Sequence, residues 1–191
     1  MMVLLLICSA AGKCICRLTG AGIMIKHLVA LCLLLFAGEG KAQSLSENEL
    51  KAAFLYRFSQ FSKWPPPPPD KLRFCVVGNP ELYQAVTSLL HAQDMDDDTE
   101  VIELPNNEQI SRCDILFLSQ QNRQQTQYWL EDLEQSPVLV VSDTSEGFRQ
   151  GAMIGLIADA NNLSFRVNLT DAKRRGLNFS AHLLKLATEV R

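Results

Sequence analysis

Downstream of residue 45, the chain alternates between short apolar runs and longer segments in which apolar residues recur at helical spacing. Short apolar runs are typical of strands that are covered on both faces, and a period of about 3.6 residues predicts an amphipathic helix. Strands and helices in alternation predict a parallel sheet with helices on both faces. The predicted strands are residues 72–78, 99–104, 113–118 and 138–141, and the predicted helices are residues 46–64, 79–91 and 124–134.

Local signals mark the ends of the first two predicted helices. The sequence SENE at residues 46–49 matches the capping box. In this motif the side chain of the first residue accepts a hydrogen bond from the backbone amide of the last, and the side chain of the last accepts one from the backbone amide of the first. Asn79 is a suitable cap for the second helix, and Pro80 fits its first turn. Five consecutive prolines at residues 65–69 lack amide donors. We therefore expect the first helix to end near Trp64 and the prolines to form a stiff polyproline II spacer.

The last third of the chain predicts a different arrangement. Residues 152–157 form an apolar run, whereas residues 163–169 alternate between apolar and polar side chains. Turn-forming residues at 159–162 separate these two predicted strands and indicate an antiparallel hairpin. A final helix is predicted over residues 179–190. The expected fold class is α/β, with a single three-layer α/β/α domain over residues 43–191, a mostly parallel sheet and a C-terminal antiparallel hairpin.

The N-terminal segment has the layout of a secretory signal peptide. A basic lead at Lys26 is followed by an apolar run over residues 28–37 and by small and polar residues that end at Ala42. That run is about half as long as the roughly 20 residues that a membrane-spanning helix needs. We expect residues 1–42 to be removed by cleavage after Ala42. We also expect Met24 to be the true start, with a doubtful extension upstream of it.

Removal of this leader changes the composition of the chain. It leaves 149 residues with 20 Asp and Glu against 14 Lys and Arg, so the formal net charge changes from −3 to −6. An acidic chain is unsuited to nucleic acid or to an anionic membrane surface, and neither is expected as a partner. Four of the six cysteines are lost with the leader, and Cys75 and Cys113 remain.

The two remaining cysteines predict a disulfide. Cys75 lies in the first predicted strand and Cys113 begins the third. In the common doubly wound strand order 2-1-3, the first and third strands are neighbours. Neighbouring strands lie about 4.8 Å apart, within the Cα separation of roughly 4.4–6.8 Å that disulfides show. Because an exported protein meets an oxidising compartment, we expect a Cys75–Cys113 bridge rather than two free thiols.

No residue pattern downstream of the leader matches a catalytic or cofactor-binding motif. Gly78 follows the first predicted strand without the further glycines of a dinucleotide fingerprint, and P-loop and G-x-S-x-G motifs are absent. His91 and His182 are far apart in sequence, so a zinc site is poorly supported. Asp143 either binds a ligand at the sheet edge or caps the next turn, and the cap is favoured. We expect no cofactor, no metal and no enzymatic activity.

The first predicted helix carries more aromatic side chains than one core-facing stripe easily holds. Exposed aromatic residues are favoured at protein interfaces, which makes part of this set a candidate partner-binding surface. Packing in the core is the alternative, because aromatic stripes usually face inward. The candidate partner-binding residues are Phe54, Phe58, Phe61 and Trp64.

A cluster of cations lies between the last predicted strand and the last predicted helix, at residues 173–175. Backbone amides and the helix dipole favour negative charge at a helix start, so the cluster is a candidate anion site. A solvated loop is the alternative, and the sequence does not separate the two. Arg174, Arg175 and His182 are the candidate ligand-binding residues.

Four stretches of the chain resemble the YfiR family, and they follow one another in the same order over nearly the whole chain after the leader. The first and last are the more specific. The stretches are KAAFLYRFSQFSKWP, RFCVVGNP, CDILFLS and GAMIGLIADANNLSFRVNLTDAKRRGLNFSAHLLKLATEV.

This resemblance implies a periplasmic, usually dimeric regulator of compact α/β architecture. Such a regulator binds the periplasmic domain of an inner-membrane diguanylate cyclase of the YfiN type and holds it inactive. An outer-membrane lipoprotein of the YfiB type sequesters the regulator and releases the cyclase. The competing interpretation is a periplasmic protein that senses an anionic or aromatic small molecule through Arg174, Arg175 and His182.

Overall fold

A seven-stranded sheet forms the centre of the computed structural model, which describes residues 45–119, 121–159 and 162–191. The predicted leader and the predicted start at Met24 lie outside these residues. No helix in this part of the chain combines the length and the apolar character needed to cross a bilayer. The strands are β1 (Ser62–Lys63), β2 (Leu72–Val77), β3 (Thr99–Glu103), β4 (Ile115–Leu118), β5 (Leu139–Ser142), β6 (Ile154–Asp159), β7 (Asn162–Val167), β8 (Asn178–Phe179) and β9 (Glu189–Val190). The helices are α1 (Glu47–Phe61), α2 (Pro80–Ala92), α3 (Arg123–Leu130), α4 (Ser145–Gln150), α5 (Leu169–Arg174) and α6 (Ala181–Leu186), with 3-10 turns at Asn107–Arg112 and Glu131–Leu133.

The strands of the large sheet follow the order β3-β2-β4-β5-β6-β7-β9. Every neighbouring pair from β3 across to β6 is parallel. β6 and β7 form the predicted antiparallel hairpin, in which Ile154 pairs with Val167. β9 then lies parallel to β7 at the edge. The predicted fold class is confirmed, and the first three strands of the sheet have the expected 2-1-3 order.

Side chains alternate between the two faces of the sheet, and helices cover both. One face, with Phe74 and Phe117, packs against α1, α2, α5 and α6. The opposite face, with Val77 and Leu118, packs against α3 and the two 3-10 turns. Because both faces are covered, the central strands are apolar along most of their length, as their sequences indicated.

The first helix begins where the sequence indicated but ends earlier. The Ser46 hydroxyl accepts the Glu49 amide at 3.2 Å, and the Glu49 carboxylate accepts the Ser46 amide at 2.6 Å, so the capping box is formed. α1 stops at Phe61 rather than near Trp64, because Ser62 pairs with Phe179 in a small antiparallel sheet of β1 and β8. The proline run bends at residues 65–67 and is therefore not a straight spacer.

The C-terminal third departs most from the predicted elements. The single helix expected over residues 179–190 is replaced by β8, α6 and β9. The predicted strand extends to residue 169, but residues 169–174 form α5. The Asn168 side chain caps this helix by accepting the Asp171 amide at 3.1 Å. α4 and α5 were not predicted, because six residues are too few to show a helical period.

Candidate functional site

An apolar groove of about 440 Å³ lies between α1, β7 and α6, and we call it the aromatic groove. It contains three of the four predicted partner-binding residues, which α1 presents on the face that turns toward β7. Its lining consists of Leu50, Ala53, Phe54, Arg57, Phe58, Phe61, Phe165, His182, Leu183 and Leu186.

The aromatic rings of the groove pack edge to face. Phe165 lies 6.0 Å from Phe54 and 5.1 Å from Phe58, measured between ring centroids, and Phe54 lies 5.7 Å from Phe58. Such offset and T-shaped contacts suit the quadrupoles of aromatic rings. Phe58 is only 1% exposed, so it belongs to the core and forms the floor of the groove. Phe54 and Phe61 are half-buried and remain accessible from its open side.

Two predicted site residues lie in places that the sequence did not indicate. His182 lines the aromatic groove, where its ring centroid lies 5.3 Å from that of Phe61. It therefore belongs to this groove and not to the cation cluster with which it was predicted. Trp64 lines a different cleft of about 320 Å³, together with prolines of the run and Asp114. Among the described residues the buried indole Nε1 of Trp64 has no hydrogen-bond partner. The predicted partner-binding set is thus divided between two surfaces.

A second cleft, of about 410 Å³, collects four arginines, and we call it the arginine cleft. It contains Arg174 and Arg175, whereas the third predicted ligand-binding residue, His182, lies in the aromatic groove. Arg123 and Arg149 had not been singled out, because they are isolated cations in sequence. The lining consists of Arg123, Gln127, Leu130, Glu131, Glu134, Arg149, Gln150, Arg174 and Arg175.

Arg175 is the most unusual group of this cleft. It is 6% exposed, and its Nη2 donates to the carbonyl of Gly151 at 3.3 Å. Burial lowers the pKa of Arg175 below its ordinary value, and the neighbouring Arg174 cation lowers it further, whereas Asp171 and Glu134 oppose that shift. Gly151 has a φ of 126°, a backbone conformation that favours glycine, and this residue ends α4 directly beside the guanidinium.

The carboxyl edge of the sheet, where open α/β folds bind ligands, carries a charged pair. Asp143 Oδ2 accepts from the Lys51 amine at 2.9 Å and from the Ser119 hydroxyl at 3.0 Å. The Lys51 amine also lies 2.7 Å from Glu47. Burial lowers the pKa of Lys51, but its hydrogen bonds with Glu47 and Asp143 outweigh burial and the pKa is raised. α1 is thus attached across the crevice in which a ligand would be expected.

The turn after β5 is capped by a different residue from the one that the sequence favoured. Thr144 is the N-cap of α4, and its hydroxyl accepts the Gly147 amide at 3.0 Å. Asp143 instead contacts Lys51 of α1, from the other end of the described chain. The sequence around Asp143 contains no signal of this long-range pairing with Lys51.

The structure contains the predicted Cys75–Cys113 disulfide. The Cα atoms are 5.8 Å apart, and the bridge lies in the core on the α3 face of the sheet. Cys113 does not begin β4 as expected, because it ends the 3-10 turn that precedes this strand. Within the described ranges no cluster of three or more His, Cys, Asp or Glu side chains is arranged to hold a metal ion.

Comparisons with known proteins agree with this architecture. A family model described as YfiR/HmsC-like matches residues 48–188. The solved structure of a conserved domain protein from Vibrio cholerae is 14% identical, with a TM-score of 0.54 over 78% of this chain and 61% of that one. An ABC domain in complex with L-Trp from Streptococcus pneumoniae is 8% identical, with a TM-score of 0.46 over 75% of this chain and 60% of that one.

These likenesses have a limited extent. The chain spans about three fifths of the length of both solved proteins. At 14% identity the Vibrio cholerae protein shares the fold alone. No curated protein sequence matches the chain.

Proposed function

Because the chain belongs to the YfiR/HmsC-like family, whose members are periplasmic regulators of cyclic di-GMP signalling, we propose that it inhibits an inner-membrane diguanylate cyclase. In this proposal the protein binds the periplasmic domain of a YfiN-like cyclase and represses cyclic di-GMP synthesis. The observation that carries the proposal is the family match, which extends over residues 48–188 and therefore over most of the chain.

We place the cyclase contact at the aromatic groove. Half-buried Phe54 and Phe61 line it, and Leu186 at its rim is 58% exposed, so the three side chains form one accessible apolar surface. Aromatic residues are enriched at interfaces, and a few apolar anchors in a pocket usually contribute most of the binding energy. The groove is therefore suited to a protruding apolar side chain or helix of a protein partner.

Two further parts of the proposal follow the family resemblance. A YfiB-like outer-membrane lipoprotein sequesters the protein and so relieves the cyclase of inhibition. The protein is a homodimer in the periplasm. Co-purification tests the first statement, with membrane proteins that are encoded beside this gene as baits. The native mass of the purified protein tests the second.

Deletion of the gene tests the regulatory role directly. The cellular concentration of cyclic di-GMP and biofilm formation should both rise, and the intact gene supplied in trans should reverse the rise. If a gene for a GGDEF membrane protein lies beside this one, strains that lack both genes should show no rise, which assigns the effect to that cyclase. Unchanged nucleotide levels in a strain that expresses the cyclase would count against the proposal.

A charge placed at the rim of the groove tests the surface. Leu186→Glu should weaken binding of the cyclase domain by roughly tenfold or more, because it places a charge on an apolar surface that the partner would cover. The matched control is Leu45→Glu, since Leu45 is 65% exposed and lines a different cleft between α1 and α2. Both variants should keep the melting temperature of the wild type. Full repression by Leu186→Glu, or its loss in Leu45→Glu alone, would contradict this surface.

A periplasmic small-molecule binding protein is the second candidate function. One observation favours this function. The guanidinium of Arg175 in the arginine cleft is buried, and two of its nitrogen atoms make no hydrogen bond with the described residues. A gene for a GGDEF membrane protein beside this one would favour the inhibitor, whereas a neighbouring transport or metabolic operon would favour the binding protein.

A further inference from the structure

We propose that the arginine cleft binds a small organic anion, with a carboxylate or phosphate group of the ligand placed against Arg175. This site is separate from the aromatic groove. The inference goes beyond the proposed inhibition of a cyclase, and it gives the second candidate function a site and a ligand class. Neither proposal requires the other, because the two surfaces share no lining residue.

Arg175 has unsatisfied hydrogen-bonding capacity. Its Nε and Nη1 atoms are buried and have no hydrogen-bond partner among the residues that the structure describes. No Asp or Glu carboxylate in those residues lies within ion-pair distance of its guanidinium, and Nη2 has only the Gly151 carbonyl at 3.3 Å. A buried charge without a partner is destabilising, and buried donors are nearly always satisfied. An oxyanion bound in the cleft that Arg175 lines would supply the missing negative charge.

Cations from three separate helices converge on the cleft beside Arg175. Arg123 begins α3, Arg149 lies near the end of α4, and Arg174 ends α5. Arg149 and Arg174 pair with Glu146 and Asp171 of their own helices, but a guanidinium carries five donors and retains several for a ligand. Guanidinium forks match the planar geometry of carboxylate and the oxygens of phosphate.

The lining also holds two cations that lack a nearby carboxylate. Arg149 and Arg174 pair with Glu146 and Asp171, whereas no carboxylate of the described residues lies within ion-pair distance of Arg123 or Arg175. These two cations favour an anionic ligand over a cationic one. Leu130 contributes an apolar surface, which favours a ligand with a carbon skeleton. The volume of about 410 Å³ lies within the roughly 300–1,000 Å³ range of small-molecule sites.

Calorimetric titration of the purified protein at low ionic strength tests the site, with citrate and glycerol 3-phosphate as separate probes. At least one probe should bind saturably with one site per chain and a dissociation constant of about 1 mM or below. Binding of citrate alone assigns a carboxylate ligand, and binding of glycerol 3-phosphate alone assigns a phosphate ligand. Absence of saturable binding of both probes overturns the proposal.

Variants then locate the site. Arg175→Met keeps much of the side-chain volume and removes the donors, and it should weaken binding by roughly tenfold or more because charge-assisted hydrogen bonds are lost. The double variant Arg123→Gln/Arg149→Gln leaves Arg175 in place and should also weaken binding, which keeps the test valid if Arg175→Met fails to fold. The matched control is Arg112→Gln, because Arg112 is an exposed arginine that pairs with Glu100 outside the cleft.

The variants also separate this proposal from the docking proposal. The probe should bind to Leu186→Glu with the affinity of the wild type, because Leu186 lines only the aromatic groove. Equal loss of affinity in Arg112→Gln and in the cleft variants would show attraction to surface charge in general and would overturn the site. Unchanged affinity in both Arg175→Met and the double variant would overturn it as well.

Discussion

Cys75 lies within β2 and Cys113 lies just before β4, and both are nearly fully buried at 1% and 3% exposure. Their bridge joins neighbouring strands and closes a loop that contains α2, β3 and the first 3-10 turn. Cross-links of this kind stabilise a fold mainly by restricting the unfolded chain. The pair therefore contributes stability, and it lies among the buried apolar side chains of the α3 face.

Replacement of Cys113 by Ser should lower the free energy of unfolding by about 2–4 kcal/mol under non-reducing conditions, because the loop constraint is lost. Urea denaturation measures the change. A control is the wild type in excess reductant, whose unfolding curve should move toward that of the variant. The prediction fails if thiol titration of the denatured, unreduced wild type finds two free thiols per chain.

α1 is attached to the sheet by one buried ion pair as well as by apolar packing. Lys51 is 6% exposed, and the Asp143 side chain with which it pairs is 10% exposed. We expect this part-buried pair to favour one position of the helix on the sheet, since either charge alone would be costly to shield from water. The pair lies at the carboxyl ends of β4 and β5, at the edge where open α/β folds usually bind ligands.

Lys51→Met should lower the free energy of unfolding by about 1.5–3 kcal/mol, because the part-buried Asp143 carboxylate loses a charge-assisted hydrogen bond and keeps the one from Ser119. Lys51→Met/Asp143→Asn should recover part of that loss in a double-mutant cycle, with a coupling of about 0.5–3 kcal/mol. Because the pKa of Lys51 is raised, the contribution of the pair is complete below the ordinary pKa of 10.5 and is lost as the pH rises through the folded-state pKa.

Glu47→Gln is the matched control for this cycle. Glu47 also contacts the Lys51 amine, but its side chain is 64% exposed, and exposed ion pairs contribute at most about 1 kcal/mol. Strictly additive effects of Lys51→Met and Asp143→Asn in urea denaturation would show that the two residues act independently, contrary to the prediction.

The molecule as a whole combines a sheet that is covered on both faces with two chemically different surfaces, the aromatic groove and the arginine cleft. The proposed function also requires that this domain reach the periplasm. The leader pattern over residues 1–42 lies outside the described part of the chain, so export remains an expectation from the sequence.

Mass spectrometry of the protein from its native host checks the export step. The N-terminus should lie near Gln43, within a few residues, because the predicted cleavage follows Ala42. The periplasmic fraction should contain this species, with a cytoplasmic enzyme and a known periplasmic protein as fractionation controls. An intact Met1 terminus in the cytoplasmic fraction would contradict both the leader and the periplasmic role.

The central strands and the first two helices follow from the sequence because their signals are local. The apolar run of β2, the capping box of α1 and Asn79 before α2 each act within a few residues of the chain. The disulfide was also foreseeable, since the parallel alternation implied the 2-1-3 order that makes β2 and β4 neighbours. The aromatic excess of α1 likewise indicated a surface, although not which rings remain accessible.

The remaining features arise from contacts between distant parts of the chain. α1 ends at Phe61 because β1 gains its hydrogen bonds from β8, and α6 ends at Leu186 because β9 adds to β7. Two-residue strands have no periodicity of their own, so pairing with a remote partner outweighs local helix propensity. The grouping of Arg123 and Arg149 with Arg175, the separation of Trp64 from the groove and the Lys51–Asp143 pair have the same origin. Each depends on the distance between side chains in space, which a linear pattern of residue types does not contain.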